Sequence, residues 1–184
     1  ISTAERTGGI VEPLPKLQWF IDVEKPFVIE HSEIPGIASG DALSLKELML
    51  RAHKHGGVEF VTERFEKTYL HWAKNLRPWC ISRQIWFGHR IPVWYAEDKI
   101  QVQIDSPGDG WIQDPDVLDT WFSSGLWTFT TLGWPEKTND LATYHPTTLI
   151  ETGYDILPFW VARMILMSGF FLGQVPFKTI YMHG

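Results

Sequence analysis

The last quarter of the chain sets one long apolar run between two short β-patterned runs, and that order constrains the fold more than any other feature. Thr147 to Glu151 reads as a strand, Asp155 to Leu172 as a helix stopping at Gly173, and Phe177 to Met182 as a second strand. Pro158 fits the helix because it stands in the first turn, where an N–H has no intrahelical partner. Strand, helix and strand at this spacing form a right-handed parallel crossover, the unit of a doubly wound sheet. The stretch from Ile156 to Phe171 is apolar enough to raise the question of a membrane span. It is too short for one and carries Arg163, so it reads as a buried helix with no membrane partner.

Upstream, residues 1 to about 24 alternate apolar and polar around Pro13 and Pro15, which suits an extended ribbon. Ser44 and Glu47 form a capping box, and Leu45, Leu48, Met49 and Ala52 follow at helical spacing to a stop at Gly56-Gly57. His53 and His55 lie two apart, on different helix faces, so they do not form a metal pair. Val58 to Val61 reads as a strand. Glu63 to Leu76 reads as a helix with Phe65, Tyr69, Trp72 and Leu76 in one core stripe. Two strands, Ile91 to Tyr95 and Ile100 to Ile104, flank a turn at Ala96 to Lys99, with a second turn at Pro107 to Gly110. A short helix is expected over Thr120 to Phe129.

Three runs carry the chemistry. Trp79 to Pro92 (Trp-Cys-Ile-Ser-Arg-Gln-Ile-Trp-Phe-Gly-His-Arg-Ile-Pro) mixes two guanidinium groups, an amide and an imidazole with three aromatics. That mixture suits an anionic, base-bearing ligand, since guanidinium forks clamp phosphate and rings stack on bases; it equally suits a surface turn over an aromatic cluster. The second run is Asp116 to Trp127 (Asp-Val-Leu-Asp-Thr-Trp-Phe-Ser-Ser-Gly-Leu-Trp). The third is Glu151-Thr-Gly-Tyr-Asp-Ile156, followed by Trp160. In a doubly wound sheet, ligands collect beyond the carboxyl ends of strands, where two of the proposed strands deliver Glu151 to Asp155 and His183-Gly184. A carboxylate there can accept from both ribose hydroxyls, and a glycine permits close approach of the sugar. Asp155 reads equally well as a cap for its helix. Trp121, Ile156 and Trp160 read as a rigid apolar pocket or as ordinary core aromatics, since ten tryptophans leave most of them structural.

In order and spacing, these three runs resemble the branched-aliphatic subgroup of the class I aminoacyl-tRNA synthetases, with Trp79-Cys80 matching the valyl-tRNA synthetase family. The resemblance extends along nearly the whole chain. Arg6 to Pro13 with Gln18-Trp19-Phe20 looks like the exit of an inserted editing domain, Phe60 to Tyr69 like re-entry into the catalytic domain, and Gln174 to Gly184 like the strand bearing an adenine-binding loop. Three features depart from the family pattern. Ala96 to Trp111 is short and lacks paired zinc cysteines, Ile34 to Ser44 resembles an insertion, and Pro158 replaces an aromatic or aliphatic residue.

The resemblance implies an α/β fold: the second half of a doubly wound, Rossmann-like parallel-sheet catalytic domain (residues 58–184). The tail of the editing insertion (1–24) and a connecting segment with a helix (25–57) would precede it. It implies adenylate contacts from Glu151, Gly153, Asp155, His183 and Gly184, and a valine pocket from Trp121, Ile156 and Trp160. ATP with Mg²⁺, valine and tRNA(Val) would be the partners. No covalent nucleophile is expected, because the amino acid's own carboxylate attacks the α-phosphate. The two signature loops of class I activation are absent from these residues, so the chain reads as an internal fragment, inactive alone. His89 could touch phosphate or the tRNA end, or support its loop.

The formal charge of −6 argues against a free-standing nucleic-acid binder. A single cysteine, Cys80, excludes an internal disulfide and a cysteine-based metal site, and fits a reducing, cytoplasmic setting. Two other readings compete: an isoleucyl relative, and a non-catalytic module whose exposed tryptophans stack on sugars or bases.

Overall fold

A computed structural model describes residues 1–184. In chain order the elements are β1 (Phe20–Ile21), β2 (Phe27–Val28), β3 (Ala42–Leu43), α1 (Leu45–Lys54), β4 (Glu59–Phe60), α2 (Glu63–Lys74), β5 (Trp79–Cys80) and β6 (Ser82–Arg83). They continue with β7 (Val93–Ala96), β8 (Lys99–Val102), β9 (Ile112–Gln113), β10 (Val117–Leu118), α3 (Thr120–Gly125), α4 (Trp127–Thr130), α5 (Asn139–Tyr144) and β11 (Thr147–Gly153). A 3-10 turn (Tyr154–Ile156) and a π-turn (Leu157–Val161) lead into α6 (Ala162–Leu172), and β12 (Phe177–His183) closes the chain.

The expected parallel pair is present. β11 and β12 run side by side in parallel, with Ile150 opposite Ile180 and Gly153 opposite His183, and α6 connects them. β4 adds a third parallel strand on the far side of β12, giving the order β11-β12-β4. Alternation sorts the side chains. Ile150, Thr152, Phe177, Ile180 and Met182 are buried, whereas Glu151, Tyr181 and His183 face outward. The apolar side of the sheet packs into one core with α1, α2 and α6. The Tyr154–Leu172 run is long and apolar enough to cross a membrane, but half of it is buried inside the fold. Met164, Ile165, Leu166 and Met167 are at most 2 % exposed, the profile of a core helix.

The capping box forms as expected. Glu47 N–H donates to Ser44 Oγ at 3.2 Å, and Ser44 N–H donates to Glu47 Oε2 at 2.8 Å. In α2, Tyr69 is buried and its hydroxyl donates to Met49 O at 3.0 Å, tying α2 to α1. His53 reaches Val58 O (3.1 Å) and Glu66 (3.0 Å), so it joins α1 to its neighbours.

Two helices differ from expectation. The single helix expected over Thr120 to Phe129 breaks into α3 and α4 at Leu126, directly after Gly125, a residue that weakens a helix interior. The helix expected from Asp155 does not begin as an α-helix. Pro158 offers no N–H to the preceding turn, and the chain passes through 3-10 and π geometry before α6 starts at Ala162. Ile156 and Trp160 are four positions apart, a spacing that would share one face of an α-helix, but here they straddle the change of helix type. The end is as expected: Gly173 closes α6 in the left-handed conformation (φ 64°).

The other strands are short antiparallel ribbons. β7 lies between β8 and β9, β1 pairs with β5, β2 with β3, and β6 with β10.

Candidate functional site

The outward face at the carboxyl ends of β11 and β12 gathers the polar residues of the third run. Glu151 and His183 meet at 3.0 Å between Oε1 and Nε2, and both are about half exposed. His183 Nδ1 also lies 2.8 Å from Gly184 O. Gly153 stands opposite His183 in register and extends normally (φ −62°, ψ 142°). A methyl group there would lie 2.8 Å from Asp155 Oδ1, so the carboxylate of Asp155 rests over the bare backbone of Gly153. Gly153, not Asp155, occupies the cap position of the 3-10 turn, and Asp155 makes no side-chain capping bond. Its exposed carboxylate is thus open to a ligand. Glu151, Gly153, Asp155, His183 and Gly184 lie together at one rim.

The aromatic residues divide differently. Trp121, from α3, stacks on Phe159 (centroids 5.8 Å apart, planes at 28°). Trp160 faces Trp127 at 5.8 Å and donates from Nε1 to Ser124 O at 3.1 Å. A hollow of about 240 Å³ is lined by Trp160, Trp127, Leu149 and Glu151, which joins one proposed pocket residue to one proposed ribose residue. Trp121 and Ile156 are half-buried outside that hollow.

The Trp79 to Pro92 run folds as β5, β6 and an exposed tip. The N-terminal arm docks on its base: Trp19 N–H donates to Ser82 Oγ (2.9 Å), and Ser82 Oγ donates to Gln18 Oε1 (2.7 Å). The two guanidinium groups are engaged with the protein. Arg90 donates to Asp114 O (2.6 Å) and Gln113 O (3.2 Å), and Arg83 to Ser82 O (2.7 Å) and Cys80 O (3.2 Å). At the tip Trp86 is 95 % and Phe87 86 % exposed, and His89 is exposed beside them. Behind the tip lies an open hollow of about 840 Å³ bordered by Trp19, Gln84, Trp86, Tyr95, Asp114 and Asp116. Asp114 is buried there and accepts from Trp19 Nε1 and from the Tyr95 hydroxyl, each at 2.9 Å. Burial, then that bond to Asp114, pushes the Tyr95 hydroxyl up to about 12.

Sequence reasoning missed one cluster. Asp119, just before α3, is buried, and its Oδ2 lies 3.3 Å from Arg83 Nη2 and 3.9 Å from Arg163 Nη1. Neither contact has hydrogen-bond geometry, so the link is Coulombic. The Arg163 guanidinium lies 4.2 Å over the Trp79 ring, and burial holds its pKa below the usual arginine value. A lone arginine in an otherwise apolar helix was the available signal. No three His, Cys, Asp or Glu side chains gather closely enough to hold a metal ion.

The chain is similar to known proteins along its whole length. A valine–tRNA ligase of Anoxybacillus flavithermus is 48 % identical over 190 aligned residues, covering all of this chain and 20 % of that protein. One of Geobacillus stearothermophilus is 46 % identical over 189 residues, covering all of this chain and 19 % of that protein. The chain therefore spans about a fifth of the length of the curated relatives it matches. Among solved structures, a Mycobacterium tuberculosis methionyl-tRNA synthetase in complex with methionyl-adenylate superposes with a TM-score of 0.55 at 18 % identity, covering 78 % of this chain and 26 % of that one, a likeness of fold alone. The family model described as tRNA synthetases class I (I, L, M and V) matches residues 10–111 and 98–184, and the chain belongs to that family.

Proposed function

We propose that this chain forms part of the aminoacyl-adenylate site of a valine–tRNA ligase. The reading is carried by the rim at the ends of β11 and β12, where Glu151, Asp155 and His183 stand around the bare backbone of Gly153. Glu151 and Asp155 would accept from the ribose hydroxyls, Gly153 would let the sugar approach, and His183 with Gly184 would border the adenine side. Trp121, Ile156 and Trp160 would bound the valine side chain. Two points support a place for Trp160 there: it shares a hollow with Glu151, and π-turns often occur at functional sites.

In the reaction, a carboxylate oxygen of valine attacks the α-phosphorus of ATP and pyrophosphate leaves; a hydroxyl of tRNA(Val) then attacks the valyl carbonyl carbon, forming the ester and releasing AMP. The residues of this chain bind and orient, which is where positioning catalysis lies. Mg²⁺ would arrive with the triphosphate and supply charge neutralisation there. We further propose that residues 58–184 are the second half of a doubly wound, Rossmann-like domain. Supporting that, β11 has an unpaired outer edge on which a sheet could continue. Residues 1–24 would be the tail of an inserted editing domain, with 25–57 as the connection, in a cytoplasmic enzyme. Editing has a physical motive, since an apolar pocket rejects a hydroxyl-bearing isostere poorly.

The test is amino-acid-dependent ATP–pyrophosphate exchange by the full-length protein carrying this chain. Valine is expected to support exchange best. A preference for isoleucine would reassign the enzyme within its subgroup, and no exchange with any amino acid would leave a non-catalytic module.

A further inference from the structure

We propose that Asp119 and Arg163 are a positioning pair that sets the distance between Trp121 and Trp160, and thereby the fit of the amino-acid side chain. The inference rests on the valine-pocket reading above. Asp119 is the residue before α3, with Trp121 two positions on, while Arg163 follows Trp160 by three positions. An Asp119–Arg163 link therefore ties together the two segments that carry the proposed pocket tryptophans.

Other contacts converge on the same seam. Arg163 Nη1 donates to Phe159 O at 3.3 Å, and the Phe159 ring is the surface on which Trp121 stacks. Trp160 Nε1 donates across the seam to Ser124 O. At Gly125 the helices come so close that a methyl group would lie 3.2 Å from Met167 Cγ. The Trp79 ring supports the guanidinium from beneath, so Arg163 has little room to choose another partner. Its side chain is 13 % exposed and that of Asp119 is 7 % exposed.

The energetics favour a geometric role over a stabilising one. Removing two charges from water costs as much as or more than their attraction returns, and apolar residues of similar volume often serve stability as well. What the pair adds is a tether between two particular segments, which an apolar contact would not single out. Arg83, 41 % exposed, approaches the same carboxylate oxygen at 3.3 Å, so Asp119 stands between two guanidinium groups, one on β6 and one on α6. Arg163 and Asp119 need not touch substrate to act in this way.

The experiment uses the full-length enzyme with Arg163→Met, Asp119→Asn, the double variant, and Arg163→Lys. Thermal melting comes first, then exchange kinetics with valine, isoleucine and ATP varied separately. Arg163→Met is expected to raise KM for valine roughly tenfold or more, because small misplacements carry penalties of that order or larger. The isoleucine-to-valine ratio should rise with it, and KM for ATP should stay unchanged. The double variant should be no worse for valine than Arg163→Met alone, since both substitutions cut one link, and Arg163→Lys should restore part of the loss. If Arg163→Met does not fold, Arg163→Lys is judged by the same criteria. Unchanged KM for valine and unchanged selectivity in a folded variant would overturn the pair and leave the pocket reading standing. Equal rises in KM for valine and ATP would also overturn it. A wild-type enzyme that activates no amino acid would sink both.

Discussion

Replacing Gly153 by alanine separates ligand binding from folding at the proposed ribose site. The backbone of Gly153 is extended (φ −62°, ψ 142°), a conformation alanine adopts freely, so the substitution introduces no backbone strain. Loss of unfolded-state freedom would stabilise the fold by about 0.4–1 kcal/mol. The new methyl group would meet a single obstacle, Asp155 Oδ1 at 2.8 Å, the end of an exposed side chain that can swing aside by a few tenths of an ångström. The melting midpoint of the full-length enzyme should thus not fall. The ligand should feel both changes, because Asp155 moves and the sugar meets a methyl group. A charge-assisted hydrogen bond is worth about 1.5–3 kcal/mol, and at about 1.4 kcal/mol per factor of ten its full loss corresponds to roughly 10- to 150-fold in kcat/KM for ATP. Partial displacement should give the lower end, about tenfold, in valine-dependent pyrophosphate exchange. An unchanged ATP dependence would refute the ribose assignment. A clear drop in melting midpoint would refute the reasoning about strain.

Three further outcomes follow from other parts of the fold. Gly173→Ala should lower stability by at least about 2 kcal/mol, read as a falling melting midpoint, because it forces alanine to a φ of 64° and drives its methyl group into the His31 carbonyl. His145 is buried between Thr128 O (3.3 Å) and Ser168 Oγ (3.1 Å), and burial lowers its pKa below the ordinary 6.5. The unfolded chain then takes up this proton first, so the contribution is complete above about pH 6.5 and fades as pH falls from there toward the folded pKa. A pH series of melts should show that loss, and His145→Gln should flatten it. Trp160→Leu should raise the isoleucine-to-valine activation ratio, since the added space exceeds one methylene, itself worth about 1–3 kcal/mol. A folded variant with an unchanged ratio would leave Trp160 as core.

The sequence by itself determined the elements whose local signals agree with their surroundings. The Ser44–Glu47 capping box, the Tyr69 stripe, the Gly173 stop and the two strands flanking α6 all express short-range chemistry: cap bonds, apolar periodicity and a left-handed glycine. Resemblance to a known family, carried by three runs of residues, gave the candidate site. Only the tertiary structure decided what depends on distant parts meeting. It placed β4 beside β12, brought Glu151 to His183 across the sheet, and spent Arg83 and Arg90 on carbonyl groups rather than leaving them free. It also turned the start of the last helix into 3-10 and π geometry, where a missing proline N–H outweighs a favourable apolar period. The Asp119–Arg163 link shows the reason most plainly: the two residues are 44 positions apart, and no local propensity reports which buried charge an arginine will find.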